Sequence, residues 1–221
     1  MLYDLLVLVH VILFAYWLGG DLGVFYASRF VSNPDLGREA RKTAAAIMLA
    51  VDMSPRICMV LILPAGLHLA AIRQQLPLSD AALALMWVVS FVWLALVLAV
   101  HFVQAPPAAR ALQRTDFGLR LVVIGATVGA AVWHIVDPGW IRADWIALKL
   151  LLFAVTVGCG LAIRIALKPF GPAFASLMEE GSRPATEGAI QRSLTRARPF
   201  VVAIWAALVL EAALGIFQRP V

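Results

Sequence analysis

The sequence predicts an all-α integral membrane protein, a single domain over residues 1–221 built as a bundle of six transmembrane helices. Three observations carry this. Charged residues make up only 14% of the chain and hydrophobic ones 62%, whereas soluble domains hold about 25% charged residues. Mean hydropathy is +0.90. Apolar windows of about twenty residues, enough to cross the hydrocarbon, fall at 4–26, 50–72, 81–104, 118–136, 143–167 and 199–218.

The basic residues set the orientation. Arg29, Arg38, Arg41, Lys42, Arg110, Arg114, Arg120, Arg164 and the run from Lys168 to Arg198 share the side of the long links. Arg73, Arg142 and Arg219 stand on the other side. The positive-inside rule then places the long links in the cytoplasm and both termini outside; the expected setting is a bacterial inner membrane, with the termini on its periplasmic side. The net charge of +5 thus reflects topology and attraction to anionic lipid, not nucleic-acid binding.

Span one reads "LVLVHVILFAYWLGGDLGVFY". No basic start or small-residue cleavage site accompanies it, so it is an uncleaved span. His10 and Asp21 lie eleven residues apart, about three turns, on one stripe with Phe14 and Trp17 between them. The 27–49 link is polar and basic. Span two carries Pro64 as its main break, Asp52 and Arg56 at ion-pair spacing, and His68 near its end. After the short 73–80 link, span three ends near His101. The 105–117 link leads to span four, whose "GATVGAA" face suits close helix packing and which ends near His134. "VDPGW" forms a tight turn into span five, which holds Lys149. In the 168–198 link, "PAFASLMEE" and "TEGAIQRSLTRAR" suit short interfacial helices. Span six carries Glu211. Cys58 and Cys159 fit no CxxC metal motif and read as buried thiols.

Ionisable residues inside spans are costly and mark functional sites. His10, His68 and His134 share the outer leaflet, as do Lys149 and Glu211. A b-type haem between helices needs an imidazole on each face and apolar or aromatic walls. His10 with His68 or His134 meets the depth requirement. Phe14 and Trp17 suit a porphyrin edge, and Ala65 and Gly66 leave room beside His68. Two other readings stay open: helix-to-helix hydrogen bonding, and a three-histidine copper or zinc centre. Lys149 and Glu211 read either as a propionate contact and a proton relay or as a polar clamp. Asp21, Asp52, Arg56 and Arg29 form an inner-leaflet group, with Asp21 expected to contact Arg29 or Arg56.

"HVILFAYWLGG" followed by "GVFYASRF" resembles the first helix of the HemJ-type membrane protoporphyrinogen oxidases, through His10, Trp17, Gly20, Phe25, Tyr26 and Arg29. "DMSPRICMVLILPAGLHL" is similar to the family's second helix (Met53, Pro55, Gly66), "WIALKLLLF" to its tryptophan-to-lysine helix (Trp145, Lys149), and "RARPFVVAIWAALVL" to its last (Pro199). These pieces cover about half the chain, in order. Spans three and four look like an inserted hairpin, and Asp21, His68 and Glu211 are not part of the pattern. The resemblance, which extends to CopD-like membrane domains, implies a b haem in a helical bundle.

The functional expectation is therefore a membrane b-type haem protein that carries out redox chemistry or electron transfer. Its ligands are His10 with His68 or His134, with Lys149 and Arg56 as anionic-group contacts. Quinone and porphyrinogen are the candidate substrates, and a redox partner or a second copy the candidate protein partners. In the enzymatic form Glu211 or Asp21 accepts a proton. The alternative is a CopD-like copper permease, against which stands the position of the polar groups near the faces and not the midplane.

Overall fold

In the computed structural model, which describes residues 1–103 and 105–217, these residues form helices and no strands. The elements are α1 (Leu2–Val31), α2 (Arg38–Val51), α3 (Met53–Ile72), α4 (Asp80–Phe102), α5 (Pro106–Val136), α6 (Asp144–Ala166), α7 (Phe170–Glu180) and α8 (Pro184–Ile216). Six helical rods are long and apolar enough to cross a membrane, with α2–α3 and α6–α7 each running on as one rod. Lipid offers backbone groups no partner, so a spanning segment satisfies them within its own helix. Arg219, and the ends of spans three and six at Gln104 and Gln218, lie outside the described residues.

Several helices run well beyond the apolar windows, at the end that carries the long links. The 27–49 segment is a helical hairpin, not an irregular link: α1 continues to Val31 and α2 starts at Arg38. The reason is amphipathic spacing. Arg41, Ala45 and Met48 recur along one stripe of α2 and are buried, and Ala45 and Met48 pack on Ala27 and Val31 of α1. Only Asp52, itself with helical backbone angles, separates α2 from α3. The 105–117 segment is likewise the start of α5, entered through a proline at its first turn. "PAFASLMEE" forms α7, as its composition suggested, but "TEGAIQRSLTRAR" is the first part of α8. Helix α3 stays continuous through the fully buried Pro64.

Arg41 ties this end together. Its guanidinium, 1% exposed, grips Glu187 of α8 with two bonds of 2.6 and 2.9 Å. Its Nε donates to the Val31 carbonyl at 2.9 Å. At the opposite end, Asp137 accepts from the Gly139 amide at 3.1 Å and closes the "VDPGW" turn.

Packing closes the six rods into a ring in the order α1, α3, α4, α5, α6, α8, with α1 against α8 as the lightest seam. The interior is filled by Leu13, Trp17, Val60, Trp93, Phe153 and Leu208, among others. Cys58 is buried and Cys159 half-buried, both as free thiols. The "GATVGAA" stretch packs through Thr127 and Ala131, which are buried. Gly125 and Gly129 face open space instead, because they lie on the other side of the helix.

Candidate functional site

The four rods without the α4–α5 hairpin enclose a cavity of about 490 Å³ at the end holding the N-terminus. Helices α1, α3, α6 and α8 and the turn after α3 supply its lining, and α4 and α5 supply none. Its walls are apolar and aromatic: Phe14, Leu63, Leu67, Ile146, Leu150 and Phe153. Five ionisable side chains line it, Tyr3, His10, Arg73, Lys149 and Glu211.

Close backbone approach positions two of these. A β-carbon on Gly66 would lie 3.0 Å from Cε1 of His10. Glycine there lets the imidazole, Cε1 foremost, approach α3 closely where it lines the cavity. The ring lies beside the Ile62 backbone, and its Nδ1 is buried with no partner among the described residues. A β-carbon on Gly215 would similarly lie 2.7 Å from Nζ of Lys149. The Lys149 ammonium also sits over the Trp145 ring, 5.2 Å from its centre.

Glu211 feels the charge of Lys149 without reaching ion-pair distance. Its Oε1 is buried and unpartnered among the described residues, as is Oε1 of Gln75. The chain turns at Gln74, whose φ of 55° ends α3 and brings Gln75 to the cavity. A buried polar atom without a partner is costly. Three of them belong to residues that line this one cavity.

The other expected residues lie elsewhere. His68 stands two residues past Gly66, about 200° around the helix, and its Nδ1 accepts from Trp87 of α4 at 3.2 Å. His134 lies 2.9 Å from an Asp144 oxygen, joining α5 to α6. The three histidines thus share an end of the bundle but not a site. Among the described residues, no group of three or more His, Cys, Asp or Glu could hold a metal ion. Phe14 lines the cavity, while Trp17 is core, edge-on to Phe153 at 6.3 Å. Gly66 makes room for His10, not for a group beside His68.

At the opposite end, Arg56 pairs with Asp52 as their spacing required. Asp21 forms no ion pair with Arg29 or Arg56: its neighbours are Trp17 and Asp52, and its Oδ2 is buried and unpartnered. Arg29 lies over the Phe25 ring instead, 5.4 Å from its centre. His101 is exposed at this end, beside Phe102.

A second buried cluster went unread in the sequence. Asp116, 1% exposed, accepts from Arg120 at 3.0 Å, Arg164 at 2.7 Å and the Trp93 indole at 3.2 Å. Arg120 also reaches Sδ of Met59 at 3.3 Å. The Asp116–Arg120 spacing of four was the available signal. The cluster locks α3, α4, α5 and α6 together.

No protein-family model, curated protein or solved structure matches the chain.

Proposed function

We propose that this is a multi-pass protein of a bacterial inner membrane that performs redox chemistry or electron transfer with a b-type haem held in the four-helix cavity. The observation that carries the reading is His10: the one histidine on the cavity, with Nδ1 buried and unpartnered. Metal-bound imidazoles commonly anchor their other nitrogen to a backbone carbonyl, a role open to Ile62.

The residues present fit the group: His10 would supply the imidazole donor, the aromatic and aliphatic walls would suit a macrocycle, and Lys149 and Arg73 would suit its carboxylates. When bound, the haem supplies one-electron redox chemistry. The chain's own part is to orient the group through His10 against Gly66, to hold the anionic edge through Lys149, and to exclude water with the apolar walls. Glu211 is the carboxylate placed to take a proton from a substrate in the cavity. Asp21 is not, since it lies outside the lining. Arg56 is engaged with Asp52 and also lies outside it.

The resemblance to HemJ-type proteins makes porphyrinogen oxidation the specific enzymatic form. The residues behind it meet in space: Gly66 against His10, Gly20 against Pro55 and Lys149 over Trp145. The copper or zinc alternative needs three converging imidazoles, and here His68 and His134 are engaged by other groups. The excess of basic residues at the end bearing the long links supports a cavity in the periplasmic leaflet.

Optical spectra of the detergent-purified protein, oxidised and dithionite-reduced, test this. We expect a b-type α band that His10→Ala abolishes and His68→Ala retains. Colourless protein from haem-replete cells sinks the reading. Reporters fused after Asn33 and after Pro138 should report the cytoplasm and the periplasm respectively. The reverse pattern overturns the orientation.

A further inference from the structure

We infer that one anionic phospholipid, from the leaflet at the basic end, binds in the seam between α1 and α8 with its phosphate bridging Arg29 and Arg198. The two guanidiniums come from different helices to one ring. They lie over Phe25, 5.4 and 6.0 Å from its centre. Both residues are exposed, and neither has a carboxylate within ion-pair distance among the described residues. Elsewhere at this end, arginines that reach across helices meet a counter-charge: Arg41 has Glu187, and Arg120 and Arg164 share Asp116. Here two like charges converge on an aromatic ring without one, so the counter-charge is an anion from outside the chain. Arginine suits that anion being a phosphate, because its planar fork takes phosphate oxygens in pairs.

Depth points to a lipid as the source. The apolar window of α1 ends at residue 26 and that of α8 starts at 199. Arg29 and Arg198 therefore stand just outside the hydrocarbon, at headgroup level, where basic pockets between transmembrane helices hold anionic headgroups. From each arginine an exposed apolar stripe runs into the membrane at helical spacing, Tyr26 and Leu22 on α1, Val202 and Val209 on α8. A phosphate held by both guanidiniums has its acyl chains laid along these stripes, from which a free anion gains nothing. The seam is also the lightest in the ring, closed here by the edge-on contact of Phe25 with Trp205 at 5.2 Å. A headgroup that bridges both helices adds a second tie, so binding of the lipid stabilises the folded bundle. This role is independent of what the cavity at the other end holds.

Native mass spectrometry of the whole protein in detergent micelles tests this, with phosphatidylglycerol, phosphatidylcholine of the same acyl chains, and inorganic phosphate as probes. Expected is one phosphatidylglycerol retained in preference to phosphatidylcholine, and an unfolding midpoint that phosphatidylglycerol alone raises. Arg29→Gln and Arg198→Gln should each weaken its binding about tenfold, and together about a hundredfold, the scale of one and two charge-assisted hydrogen bonds. Arg114→Gln removes an exposed charge of α5 at the same end and should bind the lipid as wild type does. Equal retention of the two lipids overturns the inference. So does an equal loss in Arg114→Gln, which would show diffuse attraction in place of a site. If inorganic phosphate displaces the lipid and raises the midpoint by itself, the ligand is a free anion and the lipid assignment falls.

Discussion

Gly66 and His10 are in contact across two helices: a β-carbon added to Gly66 would stand 3.0 Å from the imidazole Cε1. The missing side chain on α3 is thus what lets an α1 side chain enter the cavity. Gly66→Val fills that space with two further methyl groups. Overpacking of this kind costs about 1–3 kcal/mol, or roughly ten- to hundredfold in affinity. We expect Gly66→Val to retain ten- to hundredfold less haem affinity than wild type, read by titrating haem into the apoprotein. Ala65→Val, on the neighbouring fully buried residue, controls for a general packing defect.

Gly215 and Lys149 form a second such pair, with 2.7 Å between the would-be β-carbon and Nζ. Gly215→Ala should push the ammonium away, since the end of a lysine moves easily, while favouring the α8 helix. The expected result is a variant as thermostable as wild type that binds haem as weakly as Lys149→Met does. Both should lose about tenfold, the scale of one charge-assisted hydrogen bond. The same titration with a haem dimethyl ester, which lacks the anionic edge, should show no difference among the three proteins.

Asp116 neutralises two arginines in the interior at the opposite end. Asp116→Asn leaves Arg120 and Arg164 without their counter-charge, and breaking a buried pair costs about 3–5 kcal/mol. Expected is a large fall in detergent unfolding midpoint with an unchanged haem spectrum in the remaining folded protein. A spectral change would instead connect this cluster to the cavity.

Arg41 and Glu187 hold the start of α8 to α2 through two hydrogen bonds. Arg41→Met should free the segment between α7 and α8. Cleavage by a glutamate-specific protease after the exposed Glu180 should become at least tenfold faster, measured on intact protein in detergent. Unchanged cleavage would show that α7 packing on α8 suffices alone.

Hydropathy revealed where the chain crosses a membrane because the hydrocarbon selects composition directly. It missed how far helices extend past the hydrocarbon: Arg38–Val51 and Pro184–Arg198 are polar on average but amphipathic in phase. Depth was equally legible, since His10, Lys149 and Glu211 do meet at one end. Facing was not. Gly66 and His68 differ by two residues, and that difference sends one to the cavity and the other to Trp87. Asp116 escaped notice because Arg120 and Arg164 read as surface charges by count, and only packing shows that a single carboxylate gathers both.

Helices α1 and α8 are riveted at one end, where Phe25 and Trp205 meet edge-on at 5.2 Å with Arg198 over the same ring. At the other end the cavity keeps them apart. The pair is therefore a wedge with its hinge in one leaflet and its gap in the other. Swinging α8 outward about the Phe25–Trp205 contact enlarges the molecule's cross-section in the cavity leaflet alone. The work of any such opening would be set by the lateral pressure of that monolayer, so lipids that relieve or raise packing on one side of the membrane would throttle access to His10.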